Sequence, residues 1–322
     1  MELIINTYGS YLHKSGDCFK IKVEDKVHEI SCKKVSSILI STGAYLSTDA
    51  IQMAMENNID IVFLDKFGNP FSRVWHSKLG STTLIRRKQI EISNSVAGMK
   101  YALEWIGNKF KNQIELLKNL RKTRPKKSAE ITEYVERLKD LGIKIASLKG
   151  KIDDNRQMIL SLEAQGSKLY FQLLSSILPS RFQFNGRSRN PAKDEFNTLL
   201  NYAYGVLYSK VEKGCIISGL DPFVGIIHTD NYNKKSLVFD LIENYRIWAE
   251  EIVVKLFASR KVKNNMFDTI PRGLSLNKEG KEVLLKSFNE YMDISIRHRG
   301  RNVKRKNIIQ LDCHRIANEL IR

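Results

Sequence analysis

The chain is poor in the features that brace secreted or membrane-spanning proteins. Its four cysteines, Cys18, Cys32, Cys215 and Cys313, are scattered through 322 residues. No close pair has zinc-site spacing, and nothing else points to a secreted disulfide scaffold. No uninterrupted apolar run approaches the ~18 residues that cross a bilayer. The opening MELIINTYGS lacks a basic region followed by an apolar core, so no signal peptide is expected and the cytoplasm is the expected location. Repeats and low-complexity stretches are missing too. Acidic side chains are the scarce charge: lysine and arginine number 53 against 35 aspartates and glutamates, a formal net charge of +18. A cationic excess of that size favours polyanionic partners, because each phosphate neutralised releases a counterion. The plainer reading is charge that only keeps the protein soluble.

What is present divides into two patterns. A 322-residue chain that is 42% hydrophobic has the length for two domains and enough apolar residues for real cores. Up to about residue 84 the runs LIINT, FKIKV, HEISC, SSILIS and DIVFLD read as strands, separated by turn formers such as Tyr8-Gly9-Ser10 and Phe67-Gly68-Asn69-Pro70. One helix interrupts them, capped by Ser47 or Thr48, with Ile51, Ala54 and Met55 as its apolar face. Beyond that point apolar residues recur three and four apart. GMKYALEWIGNKFKNQIELLKNL reads as a helix, Pro125 breaks it, and ITEYVERLKDLGIKIASLKGKI resumes the pattern. The expectation is an α+β protein: residues 1–84 a small β-rich domain, residues 85–322 a larger all-α domain, with the boundary near SKLGSTTL at 77–84.

Three places in the helical part carry polar groups where packing alone would be expected. In ILSLEAQGSKLYFQLLSSIL, Ile159, Leu162, Leu169 and Leu173 form a buried stripe. Glu163, Gly166, Ser167 and Tyr170 fall on another face, where small residues would let a backbone or phosphate approach. In GLDPFVGIIHTDNYNKKSLVFDLIENYR, Gly225 permits tight packing before His228, and Ser236 is the expected cap of a helix running through SLVFDLIENYRIWAEEIVVKLF. Leu237, Leu241, Tyr245, Ile252 and Leu256 suit its core side. Asp240 and Glu243 stand three apart on a shared face, where like charges repel unless a cation lies near. Carboxylates with one imidazole suit Mg²⁺ or Mn²⁺, whereas a structural histidine with a satisfied ring is the plain alternative. In FNGRSRNPAKDEFNTLLNYAYGVLY, Arg187 and Arg189 read as exposed phosphate contacts ahead of a helix with Leu199, Leu200, Ala203 and Leu207 at core spacing. Asn201 and Tyr204 add polar tips that would orient ligands or simply pack inside.

Taken in order and spacing, GLDPFVGIIH followed by SLVFDLIENYR, with LEAQGSKLYF and RSRNPAKDEFNTLLNYAYGVLY, resembles the CRISPR-associated integrase family, the adaptation endonuclease that inserts new spacers. The resemblance covers nearly the whole chain. It implies a metal site and catalytic set of Glu163, His228 and Glu243, with Asp240 at the family's additional acidic position, near the metal or behind its ligands. Some members carry aspartate where Glu243 stands. Tyr170, Asn201 and Tyr204 are the expected supporting residues, and Mg²⁺ or Mn²⁺ is the expected cofactor. It implies DNA substrates, double-stranded and branched (prespacer and CRISPR repeat), joined by attack of a 3′-hydroxyl on a phosphodiester. It also implies a homodimer formed through the N-terminal region and a small ferredoxin-like adaptation partner. No membrane association is expected.

The basic run RHRGRNVKRK supplies Arg297, Arg299, Arg301, Lys304, Arg305 and Lys306, a solvated surface or a second set of DNA contacts. Two rival readings are a transposon-encoded integrase sharing the catalytic core, and a DNA-binding scaffold without catalysis. The former usually carries an extra DNA-binding module, for which the short LDCHRIANELIR after the basic run leaves little room. The acids and histidine argue against the latter.

Overall fold

A computed structural model of the chain describes residues 1–74, 83–189, 191–229 and 234–322. Most of the expected boundary at 77–84, and part of the loop TDNYNKK, lie outside the described residues.

The N-terminal part builds two four-stranded sheets. Strands β1 (Glu2–Ile5), β5 (Ser37–Ile40), β7 (Asp60–Leu64) and β8 (Pro70–Val74) lie in the order β1-β5-β7-β8, the first three parallel and β8 antiparallel. The second sheet has the order β4-β3-β2-β6, from β2 (Ser10–Ser15), β3 (Cys18–Val23), β4 (Lys26–Ser31) and β6 (Ala44–Leu46). Alternation decides which face is buried: Leu12 on β2 and Phe19 and Ile21 on β3 point inward, whereas Tyr11 and Tyr45, cross-strand neighbours, stay out. Strand β5, SILI, is buried at all four positions, as a central parallel strand covered on both faces must be. Helix α1 (Thr48–Glu56) starts at Ser47, whose hydroxyl accepts from Ala50 N at 3.2 Å.

The C-terminal part is predominantly helical: α2 (Thr83–Ile92), α3 (Val96–Lys122), α4 (Ser128–Ala146), α5 (Ile152–Ser176), α6 (Glu195–Ser218), α7 (Ser236–Leu241), α8 (Arg246–Ala258), α9 (Lys278–Asp293) and α10 (Arg305–Leu320). It is not all-α, as expected from sequence. Two antiparallel hairpins, β9 (Phe267–Ile270) with β10 (Gly273–Leu276) and β11 (Ser295–His298) with β12 (Arg301–Lys304), interrupt it. Each strand has only four residues, too few for an alternation signal to stand out. Pro125 sits in a short 3₁₀ turn between α3 and α4, ending the first helix where expected. The helix expected from Ser236 onward is broken. A 3₁₀ turn at Ile242–Asn244 separates α7 from α8, and Ser236 is the first helical residue with no side-chain cap. The predicted core positions Leu237, Leu241, Tyr245, Ile252 and Leu256 are all buried.

Helix α6 is the central rod, buried along most of its length. Gly205 meets the β7–β8 turn so closely that a Cβ there would run into the Gly68 carbonyl. Gly68 itself has φ +86°, a conformation that favours glycine. A buried charged joint lies nearby. The Arg73 guanidinium is 2.6 Å from Asp60 and 3.4 Å from Glu212, and donates to the Ser209 carbonyl at 2.7 Å. Lys213 adds a 2.5 Å contact to Asp60. Among the described residues no helix is long and apolar enough to cross a membrane, and all four cysteines are free.

Candidate metal centre and nucleic-acid interface

Two helices bring the first carboxylate to its place. Gly166 on α5 packs against Phe110 on α3 so tightly that a Cβ would strike the ring. The small residue therefore serves helix–helix approach, not access for a phosphate as expected from sequence. That approach sets Lys109, beside Phe110, against Glu163, one turn before Gly166. The Lys109 ammonium, 4% exposed, pairs with Glu163 and lies 2.8 Å from Glu243 Oε2. Glu243 stands in the 3₁₀ turn, with its Oε1 2.9 Å from Arg246 Nε. The Ser167 hydroxyl donates to Glu163 at 2.8 Å.

The charges hold one another in place. Burial works against the Glu163 carboxylate, but the Lys109 charge and hydrogen bond outweigh it and carry its pKa from 4.5 down to about 2. For Lys109 burial again opposes the charged form, yet Glu243 and then Glu163 overcome it and the pKa is raised. The Glu243 contact is electrostatic more than directional, because Oε2 is buried with no aligned hydrogen-bond donor.

His228 is positioned separately. A Cβ at Gly225 would strike the His228 carbonyl, so only glycine lets the segment turn this tightly. Asp240, fully buried on α7, accepts from the backbone of Ile226 at 2.6 Å, Ile227 at 2.9 Å and His228 at 3.0 Å. It also lies 2.7 Å from His228 Nδ1. A carboxylate only accepts, so Nδ1 is the donor and Nε2 is left free on a ring whose side chain is 34% exposed. Asp240 and Glu243 therefore do not share a face as expected: the 3₁₀ turn sends one to the histidine loop and the other to Lys109.

Among the described residues, no three His, Cys, Asp or Glu side chains lie together closely enough to hold a metal ion. Glu163 and Glu243 converge, but on a lysine. The donors nonetheless fit a hard divalent cation, since two carboxylates face a common cation and one buried oxygen lacks a donor.

A cavity of about 410 Å³ opens beside this cluster, lined by Lys109, Glu163, Arg187, Arg189, Tyr204 and Arg246 among others. Arg187 is not an exposed phosphate contact as expected. It is half-buried, donating to Asn201 Oδ1 at 2.7 Å and also to Asn197, with its guanidinium 5.3 Å from the Phe171 ring and 5.5 Å from that of Tyr204. Arg189 is exposed. Asn201 also donates to the Ser188 carbonyl at 2.9 Å. Tyr204 donates to buried Glu250 at 2.6 Å, and burial raises the Glu250 pKa although Tyr204 and Tyr170 oppose it. Tyr170 is fully buried in the core beside them.

The basic run forms the β11–β12 hairpin and the start of α10. Arg297, Arg299, Arg301, Lys304 and Lys306 are exposed. Arg305 stacks 3.9 Å from the Tyr291 ring, while Lys304 and Lys306 share Asp293 at 3.6 and 2.6 Å.

Sequence reasoning missed Lys109, Arg246 and Glu250. Lys109 had a usable signal: Ala102, Trp105, Ile106, Phe110 and Gln113 bury one stripe of α3, and Lys109 falls on it. A lysine at an apolar-periodic position marks a charge held inside.

Residues 3–290 match the sequence model of a family described as CRISPR associated protein Cas1. A CRISPR-associated endonuclease Cas1 of Archaeoglobus fulgidus is 31% identical over 330 residues, covering 98% of this chain and 95% of that protein. Among solved structures, a casposase bound to integration product aligns with TM-score 0.86 at 21% identity, over 99% of this chain and 90% of that one. A chain of a Cas6-RT-Cas1–Cas2 complex aligns with TM-score 0.81 at 18% identity, over 99% of this chain and 35% of the other. At those identities the two structures show a shared fold.

Proposed function

This chain belongs to the CRISPR-associated Cas1 family, and from that premise we propose that it is a CRISPR adaptation integrase, a metal-dependent DNA strand transferase and endonuclease. The observation that carries the reading is the meeting of Glu163 and Glu243, from separate helical segments, around one buried cationic group. The reaction is direct transesterification: a prespacer 3′-hydroxyl gives up its proton and attacks a repeat phosphodiester, the new P–O bond forms, the bond from that phosphorus to the 3′-oxygen of the preceding nucleotide breaks, and the leaving oxygen takes up a proton. Cleavage of branched DNA is the same displacement with water as nucleophile.

Glu163, Glu243 and His228 are the residues that would hold Mg²⁺ or Mn²⁺, with His228 contributing Nε2. Bound there, the ion supplies Lewis-acid polarisation of the scissile phosphate and stabilises the leaving oxygen. Asp240, whose side-chain hydrogen bonds among the described residues go to the histidine segment, is a positioning residue: it fixes the tautomer and direction of His228. Arg246 and Lys109 offset the repulsion that two carboxylates would exert on an approaching phosphate. Arg187, braced by Asn197 and Asn201, and the exposed Arg189 extend that attraction along the cavity. The basic β11–β12 hairpin is a second contact for duplex or branched DNA, with phosphate neutralisation as its source of affinity.

The same reading divides labour between residues 1–84 as dimerisation unit and residues 85–322 as catalytic unit. Tyr11 and Tyr45, paired on β2 and β6, and Tyr8 in the turn before β2 supply exposed aromatic surface, 40%, 69% and 84% accessible, suited to a second copy of this chain. A small ferredoxin-like adaptation protein completes the assembly; one chain of similar fold belongs to a complex that contains Cas2.

The deciding experiment measures strand transfer by the full chain in Mg²⁺ or Mn²⁺. Glu163→Ala should lose at least about 10²-fold in rate, the share of a metal contributing several kcal/mol, while duplex affinity is retained. Normal integration by that variant would sink the assignment.

A further inference from the structure

Among the described residues, Lys109 is the one lysine withdrawn almost wholly from water. Burying an ammonium is costly unless acceptors surround it, and here two carboxylates do. Those carboxylates are the pair assigned to the divalent ion, so Lys109 and the ion need the same space and the same negative charge. A permanent structural salt bridge would leave no place for both. The surroundings allow another outcome: Lys109 borders the 410 Å³ cavity, and its four-carbon stem gives the ammonium reach without movement of α3. Glu243 already presents an oxygen that no donor addresses directionally.

We propose that Lys109 is a resident stand-in for the divalent cation: it holds Glu163 and Glu243 together in the metal-free protein, withdraws into the cavity when the ion enters, and by competing sets the ion concentration at which the site fills. The inference rests on the metal assignment above and adds to it a competitor inside the chain. Free of the ion, the protein then needs no partner to prevent its two acids from driving the segment apart. In the cavity the withdrawn ammonium faces where a DNA phosphate would lie, so DNA and ion favour one another's binding, a coupling that is reciprocal.

Mn²⁺ affinity, read by electron paramagnetic resonance of free Mn²⁺ with the full chain and no DNA, tests this without reference to activity. Lys109→Met should tighten binding about tenfold or more, since a unit charge at ion-pair distance is removed from beside a dication. Glu163→Gln should weaken it about tenfold. If Glu163→Gln weakens binding while Lys109→Met leaves it unchanged or weaker, the stand-in role is overturned and the metal assignment survives. If Glu163→Gln has no effect, the metal assignment fails and the stand-in role falls with it. Should Lys109→Met not fold, the wild type decides. With ¹⁵N-labelled lysine, a slowly exchanging ammonium resonance should be present without metal and shift or vanish as Mg²⁺ is added. A protected lysine signal indifferent to Mg²⁺, or none at all, would overturn the proposal.

Discussion

Arg73→Met should loosen the joint between the β sheets and α6 by an amount the contacts allow to be worked out. The Arg73 side chain is 7% exposed and those of its acidic partners Asp60 and Glu212 are 2% and 9% exposed. Breaking a buried pair by removing one partner costs about 3–5 kcal/mol when the other charge is left uncompensated. Compensation remains here: Lys213 stays 2.5 Å from Asp60, and Lys235 2.7 Å from Glu212. That puts the electrostatic part toward about 2 kcal/mol. The Ser209 carbonyl and hydroxyl lose their donor as well, adding about 1 kcal/mol. The expected total is about 3 kcal/mol, read as a lowered midpoint in equilibrium urea unfolding of the full chain followed by tryptophan fluorescence. Adding Asp60→Asn to Arg73→Met should recover part of the loss, because the stranded carboxylate is what costs most. A loss below about 1 kcal/mol, or a double variant no better than the single, would refute the reasoning and mean the joint is held by packing alone.

Other outcomes follow from the same geometry. Because the folded pKa of Glu163 is depressed from 4.5 to about 2, its contribution to stability is complete above pH 4.5 and is lost as pH falls from 4.5 through 2. Glu163→Gln should therefore flatten the dependence of the urea midpoint on pH in that window. Asp240→Asn should cost about 10- to 100-fold in strand transfer and in Mn²⁺ affinity, the range for groups that orient a metal-ligating histidine; unchanged values for both would leave Asp240 a purely structural residue. Neutralising four of the six basic residues from Arg297 to Lys306 should flatten the log–log salt dependence of duplex binding by about 3 to 4 units, and an unchanged slope would make the hairpin ordinary surface. Tyr11→Asp with Tyr45→Asp should shift the full chain toward monomer in sedimentation velocity; an unaltered distribution would place the dimer contact elsewhere.

The parts of this molecule legible in advance are those where one residue's local preference decides. Ser47 caps α1, Pro125 ends α3, and Gly225 allows the turn into His228, each for a reason contained in its own chemistry. The core stripe of α7 and α8 was legible because leucines at helical spacing have one sensible side. The four-residue strands of the two C-terminal hairpins were not, since a short run holds too little pattern. Arg187 misled for a related cause: arginines among Gly, Ser and Asn look solvated, and only the tertiary fold supplies Asn197, Asn201 and two aromatic faces. Gly166 misled because a small residue serves a phosphate and a phenyl ring equally well, and sequence does not say which arrives. Glu163 and Glu243 were singled out in advance and do converge, but the lysine between them comes from α3, and no local rule pairs residues so far apart.

The contact between Gly68 and Gly205 is a stiff point in the junction between the two halves of this protein. Ordinary domain junctions are cushioned by side chains that change rotamer under load, so one half tilts while the other stays still. Here backbone rests on backbone, and the preceding residue of α6, Tyr204, reaches Glu250 in the wall of the cavity. At this point a tilt of the β7–β8 turn has no side chain in which to dissipate and bears on the helix that carries that wall. Substituting Gly205 would accordingly act on two things at once, the seating of the β unit and the shape of the cavity, although Gly205 itself is buried.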